Sequence, residues 1–243
     1  MTTWSAADWI NHGGATIVSD PALGQRLISH GIQHVPDQGI AWFNLGLALH
    51  QRRRIPAAIR AYRQALACNG GPMAEATNNL AQDLLLNGQW DEGWPLYEHR
   101  LNRAGATSFH TYVQNYGAAW KGWDDPRPCE RLILVAEQGL GDTLQFARLI
   151  QILHNRGVQT QLLSPEALAP LLRSSSKLGE ISLMLGIHGP GVRWCPLMSL
   201  PHRLQLTPGA IPLAEGYLKA DPQRIQFWKE RLRRRPNHRL IGF

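Results

Sequence analysis

The sequence predicts an α + α/β protein: an N-terminal helical-repeat array followed by an open parallel α/β unit. Three observations carry that prediction. A set of apolar and small residues recurs at a constant spacing of 35 within the first hundred residues. After residue 131 the helical period gives way to a short unbroken apolar run, Leu132-Ile133-Leu134-Val135-Ala136. A glycine-containing loop then joins that run to a new helical period. At 243 residues and 44% hydrophobic content, the chain has room for two modest cores.

The repeat is clearest from residue 39. Trp42, Leu45, Gly46 and Leu49 lie at one-face spacing on a first helix, and Ala58, Tyr62 and Ala65 on a second. Small residues at 46 and 58 let two helices cross closely, and the large ones fill the space between them. The same types return 35 residues later as Leu80, Ala81, Leu84, Gly93 and Tyr97. This is the pattern of the tetratricopeptide repeat, whose usual period is about 34. The extra residue is assigned to the Asn69-Gly70-Gly71-Pro72 turn. Upstream, Pro36 closes an earlier repeat whose second helix holds Leu23, Leu27 and Ile28. Residues 5–17 match the pattern poorly, as terminal repeats often do. A generic helical bundle is the alternative, and the constant offset over five positions argues against it. The array is expected over residues 1–101, with clear repeats at about 39–71 and 73–101. Such arrays bind a protein or peptide partner on their concave face.

Residues 102–130 lose the helical period and are rich in Gly, Pro and Trp, including Trp120-Lys121-Gly122-Trp123-Asp124-Asp125-Pro126. They read as a packed linker, because so many aromatics require burial. The α/β unit then follows in order. Residues 132–136 read as a strand buried on both faces, and Glu137-Gln138-Gly139-Leu140-Gly141-Asp142-Thr143 as a loop. A single helix is expected over 144–155, stopped by Gly157, and a strand begins at Thr160. A helix near 165–173, strands at 181–185 and 192–197, and a helix over 221–235 opened by Asp221-Pro222 complete the pattern. Residues 239–243 read as the start of another strand.

The glycine-rich loop between strand and helix is the usual place for a ligand in open α/β sheets. Gly139 and Gly141 let the backbone approach a ligand, and Asp142 stands at the helix N-terminus, where a carboxylate is favoured. Aspartate is also a common helix cap, and the spacing alone leaves both roles open.

The net charge of +7 resides largely in Arg52-Arg53-Arg54 and in Lys229, Arg231, Arg233, Arg234 and Arg235. No nucleic-acid motif accompanies these runs, which read as solvated faces, so no nucleic-acid partner is expected. No apolar run of about 18 residues occurs, which argues against a membrane span. The N-terminus lacks the basic leader and apolar core of a signal peptide. Cys68, Cys129 and Cys195 are unpaired in spacing and fit a reducing cytoplasm. The histidines show no metal-binding spacing, so no metal is expected.

Several motifs resemble, in order, a bacterial family that fuses tetratricopeptide repeats to a heptosyltransferase-like glycosyltransferase domain. Trp90-Asp91-Glu92-Gly93-Trp94-Pro95-Leu96-Tyr97-Glu98-His99-Arg100 resembles the segment closing that family's repeats. Trp123-Asp124, Leu132-Ile133-Leu134 and Ala136-Glu137-Gln138-Gly139-Leu140-Gly141-Asp142-Thr143-Leu144-Gln145-Phe146-Ala147-Arg148 resemble its next hallmark. Cys195-Pro196-Leu197-Met198-Ser199-Leu200-Pro201 is similar to a later one, as are Ile211-Pro212 and Tyr217-Leu218-Lys219-Ala220-Asp221. The motifs span residues from about 40 to 243. Asp125 departs from the family's glycine, and residues 187–194 from a stretch ending in an acid.

The resemblance implies an inverting, metal-independent glycosyltransferase of the two-domain GT-B fold. A glycan or protein acceptor would lie on the first Rossmann-like half, residues 131–236, and a nucleotide-sugar donor on the second. It makes Asp142 the general base on the acceptor hydroxyl. It assigns Glu137, Gln138, Gly139, Gly141 and Gln145 to the acceptor loop, with Glu137 in a supporting place. Residues 237–243 would open the second half, for which roughly 100 to 200 further residues are expected. A chain lacking that half is expected to be inactive and to self-associate through the exposed face. No cofactor is expected beyond the donor used by full-length relatives. The competing reading is an interaction scaffold acting through the array.

Overall fold

The structure is a computed structural model and describes residues 4–68, 73–102, 108–186, 189–212 and 216–232. The Asn69-Gly70-Gly71-Pro72 turn, Ile187-His188, the Arg233-Arg234-Arg235 end of the basic run and the expected strand at 239–243 lie outside the described residues. The chain divides into two compact units, residues 1–108 with 205–207, and residues 109–204 with 208–243.

The first unit is a succession of helix pairs: α1 (Ala6–Thr16) with α2 (Pro21–His34), α3 (Gly39–Gln51) with α4 (Ile55–Ala67), and α5 (Met73–Leu86) with α6 (Trp90–Tyr97). Residues 5–17 match the repeat pattern poorly, yet Ser5 caps α1 by accepting the Asp8 N–H at 3.2 Å. The Asp8 carboxylate in turn accepts the Ser5 N–H at 2.8 Å, closing a capping box. Asp20 caps α2 for Ala22 and Leu23, with Pro21 at the first helical position. Gly46 explains the tight crossing of α3 and α4, since a Cβ there would stand 2.4 Å from the Tyr62 ring. Tyr62, Ile59, Ala58, Leu49, Leu80 and Leu84 form one buried cluster. Ile10, Ile17, Ile28, Ile32, Ala41 and Ala48 form another. Neighbouring pairs thus share their cores, as stacked repeats must.

The second unit is built on a four-stranded parallel sheet in the order β3-β2-β1-β4. The strands are β1 (Arg131–Val135), β2 (Gln159–Leu163), β3 (Glu180–Ser182) and β4 (Val192–Pro196). Val135 pairs with Leu163 on one side and with Pro196 on the other. Ile133, Val135, Leu163, Val192 and Trp194 make a buried cluster on one face, and alternation sends Leu132 and Leu134 to the other. All of Leu132, Ile133 and Leu134 are fully buried, in accord with the unbroken apolar run.

Two expectations need correction. The segment read as a packed linker without helical period contains a helix, α7 (His110–Tyr116). Phe109 and Tyr112 stack on Trp194 of β4 at 5.4 Å, and the Trp120 N–H donates to the Trp194 carbonyl at 2.8 Å. Here aromatic packing against β4, which is invisible in a window of local sequence, orders a segment whose Gly and Pro content reads as loop. The single helix expected over 144–155 is two, α8 (Leu140–Ala147) and α9 (Ile150–His154), separated by a turn at Arg148 and Leu149. Further helical elements follow among the described residues: α10 (Ala169–Arg173), α11 (Leu200–Arg203), α12 (Pro222–Arg231) and 3-10 turns at Glu166–Leu168, Leu197–Ser199 and Pro208–Ala210. Asp125, in place of glycine, anchors the Trp-rich turn. It accepts from the Lys121 N–H at 2.9 Å and pairs with Arg127 at 2.6 Å.

Candidate functional site at the carboxyl ends of β1 and β4

The chain runs from β1 outward through β2 to β3, then returns to the other side of β1 to lay down β4. The direction of winding therefore reverses between β1 and β4. In open parallel sheets the crevice outside the carboxyl ends at such a reversal is where ligands bind. Two loops border it here, residues 136–139 after β1 and the 3-10 turn Leu197–Ser199 after β4.

Glu137 joins them. Its side chain is buried, and Oε1 accepts the Met198 N–H at 3.2 Å across 61 residues of sequence. Met198 lies in the first turn of a short helical element, where N–H groups lack intrahelical partners. The carboxylate thus satisfies a buried donor and fixes the spacing of the two loops.

Gln138 follows with φ of 59°, the left-handed region that non-glycine residues seldom occupy. Gly139, by contrast, has φ of −84° and is the residue before α8. Its N–H donates to Asp142 Oδ2 at 3.0 Å, and its carbonyl accepts from the Thr143 hydroxyl at 3.3 Å. Asp142 is therefore an N-terminal helix carboxylate, as its place in the sequence foretells. The second oxygen, Oδ1, takes no hydrogen bond among the described residues. A Cβ at Gly141 would meet nothing within 4 Å, so neither packing nor backbone strain in this structure requires glycine there. Gln145 is exposed one turn beyond Asp142, on the same helical face by its i, i+3 spacing.

All six residues singled out in the loop fall within one segment of the crevice. Sequence reasoning missed the partner of Glu137, because a backbone N–H has no side-chain signature. It also missed the roles of Tyr217 and Arg148. The Tyr217 hydroxyl donates to the Leu144 carbonyl on α8, and the Arg148 guanidinium stands 5.5 Å over the Tyr217 ring. Both residues sit in motif segments, which was the available signal. Among the described residues no cluster of three or more His, Cys, Asp or Glu side chains is placed to hold a metal. Cys68 and Cys195 are buried, and burial pushes the Cys129 thiol up to about 11, so none is a ready nucleophile.

Residues 39–71 match the tetratricopeptide repeat family. Protein FlbA of Caulobacter vibrioides is 27% identical over 235 residues, which cover 88% of this chain and 39% of FlbA. The chain therefore spans about two fifths of the length of that relative. A variant of the O-GlcNAc transferase of Thermobaculum terrenum superposes with a TM-score of 0.36 and 18% identity, over 66% of this chain and 38% of that one. No helix among the described residues is long and apolar enough to cross a membrane.

Proposed function

We propose that the α/β unit is the acceptor-side half of a glycosyltransferase-like site, carried by a repeat array that holds a protein or peptide partner. The observation that carries this reading is the Glu137–Met198 bond. It ties the two loops of the crevice together beside a carboxylate that keeps one oxygen unbonded. In this reading Asp142 Oδ1 takes the proton from an acceptor hydroxyl as that oxygen attacks the anomeric carbon of a nucleotide-sugar, and the bond from that carbon to the nucleotide's phosphate oxygen breaks to release the nucleotide. The open space at Gly141 admits the acceptor, and the amides of Gln138 and Gln145 can both donate and accept hydrogen bonds to hydroxyls. Glu137 keeps the loop in place without touching the reacting atoms. A donor held by a second half of GT-B type, and a cytoplasmic location for three cysteines in no disulfide, accord with the same reading.

Calorimetry of the chain with a panel of oligosaccharides and hydroxyl-bearing peptides tests it. One or more acceptors should bind, Glu137→Ala should weaken that binding about tenfold, and Asp142→Asn should leave it nearly unchanged. A flat panel, or binding indifferent to Glu137→Ala, would sink the proposal. Where a complex turns over, Asp142→Asn should cost at least about a hundredfold in rate.

The repeat match at residues 39–71 favours a second role in protein binding. A partner captured through the array should be lost on disrupting the α3–α4 crossing with Gly46→Val, and retained by Glu137→Ala. The reverse pattern would assign the partner to the α/β unit.

A further inference from the structure

α12 is ten residues long, and not one of them is buried. Helices this short are marginal in water and draw most of their stability from a packed apolar face. Asp221 caps the first turn by accepting the Arg224 N–H at 2.8 Å, but a cap serves one turn only. Ile225, Phe227, Trp228 and Leu232 remain 40–52% exposed. Ile225, Trp228 and Leu232 recur at i, i+3 and i+7, and they form one wall of a groove of about 870 Å³. Leu168, Pro170 and Leu171 form the facing wall.

Cations edge this apolar surface. Lys219, Arg224 and Lys229 line the groove, and the Arg231 guanidinium lies 4.2 Å from the Phe227 ring centre. The two acids of the segment are already engaged. Asp221 serves the cap, and Glu230 accepts the Gln226 amide at 2.7 Å. Among the described residues, none of the four cations is in an ion pair. A nucleic acid would meet the cations but leave Ile225 and Leu232 against water. An uncharged apolar partner would do the opposite. Aromatic and aliphatic side chains among unpaired cations on one exposed helix match what an anionic lipid surface offers, phosphates above hydrocarbon.

We propose that the α12 face and its groove dock on the surface of an anionic lipid bilayer. Trp228, Phe227 and Leu232 enter the boundary between headgroups and acyl chains. Lys219, Arg224, Lys229 and Arg231 meet the lipid phosphates.

The test is sedimentation of the full chain with vesicles of phosphatidylcholine alone and of phosphatidylcholine mixed with phosphatidylglycerol. The chain should pellet with the mixed vesicles and not with the neutral ones, and added salt should release it. Lys229→Glu should weaken vesicle binding by about an order of magnitude, and Trp228→Ser by at least as much. Excess glycerol phosphate should not compete, because it supplies the phosphate without the hydrocarbon. Both variants alter exposed side chains, so unchanged far-ultraviolet dichroism is expected to accompany the loss. No pelleting with mixed vesicles, equal pelleting with neutral ones, release by glycerol phosphate, or wild-type affinity in both variants would each overturn the proposal. Arg231→Glu supplies a second charge reversal, expected to weaken binding in the same way if either first variant misfolds.

Discussion

Two aspartates are withdrawn from water in this chain, one in each unit, and they act on the fold in opposite directions. Asp83 of α5 has a side chain that is 0% exposed. One of its oxygens meets His50 Nδ1 at 2.6 Å, and Oδ2 has no partner. Burial raises its pKa above the ordinary 3.8, against the opposing effect of His50. The Asp125 side chain is 1% exposed, yet its carboxylate collects the Lys121 N–H and three donors of Arg127. Hydrogen bonds from Arg127 hold it far below 3.8. The shifts are opposite because Asp83 lies deeper in its unit and is poorer in donors, whereas Asp125 is met by a full set of them. In the array the charge is tolerated, whereas in the α/β unit it is built in.

Linkage turns this contrast into opposite pH dependences. The raised value at Asp83 means a contribution fully present below pH 3.8 that is lost as pH rises through the folded value. The depressed value at Asp125 means a contribution present above 3.8 that is lost as pH falls through the folded value.

The largest expected effect is that of Asp125→Ala, which strands Arg127 and unties the turn. It should cost about 3 kcal/mol at neutral pH by denaturant unfolding, and the deficit should narrow below pH 3.8. A deficit constant with pH would break the contrast at its stronger side. Next comes Gly46→Val, about 2 kcal/mol, since the added carbons press on the buried Tyr62 ring. Loss of that size in helical signal stability would show that the array rests on close approach rather than on charge. Glu137→Ala should cost about 1 to 2 kcal/mol by leaving the Met198 N–H unsatisfied, while Glu137→Gln, which keeps an acceptor, should cost less than about 1 kcal/mol. If the two variants prove equal, the carboxylate is not the tie between the loops. Smallest is Asp83→Asn, within about 1 kcal/mol of wild type near neutrality. Its melting point relative to wild type should rise as pH is raised from 4 to 7. A relative melting point that falls instead would reverse the assigned sign.

Legibility in the sequence follows the range of the contacts. Trp42, Leu45, Gly46 and Tyr62 announce the array because repeat contacts are local and copied. The strands and the glycine loop are legible too, since an apolar run and a helix start are local signals. Helix α7 escapes, because Phe109 and Tyr112 are ordered by Trp194 more than 80 residues on. The left-handed residue also escapes. Two glycines follow the position, at 139 and 141, yet Gln138 adopts that conformation, held between the buried Glu137 and the cap of α8. At the site, Asp142 and its loop can be read from spacing. The bond that sets them against Met198 cannot, because one partner is main chain.

The order of the strands also sets a timetable. Each repeat can stack on the one before it as it leaves the ribosome, but β1 must wait for both of its neighbours, and β4 is made last. Glu137 and Met198 are 61 residues apart, so at about 5 to 20 residues per second the apolar β1 stays open on one side for several seconds. During that interval a nascent chain carries stacked repeats and an unfinished sheet, which is when a chaperone has most to protect.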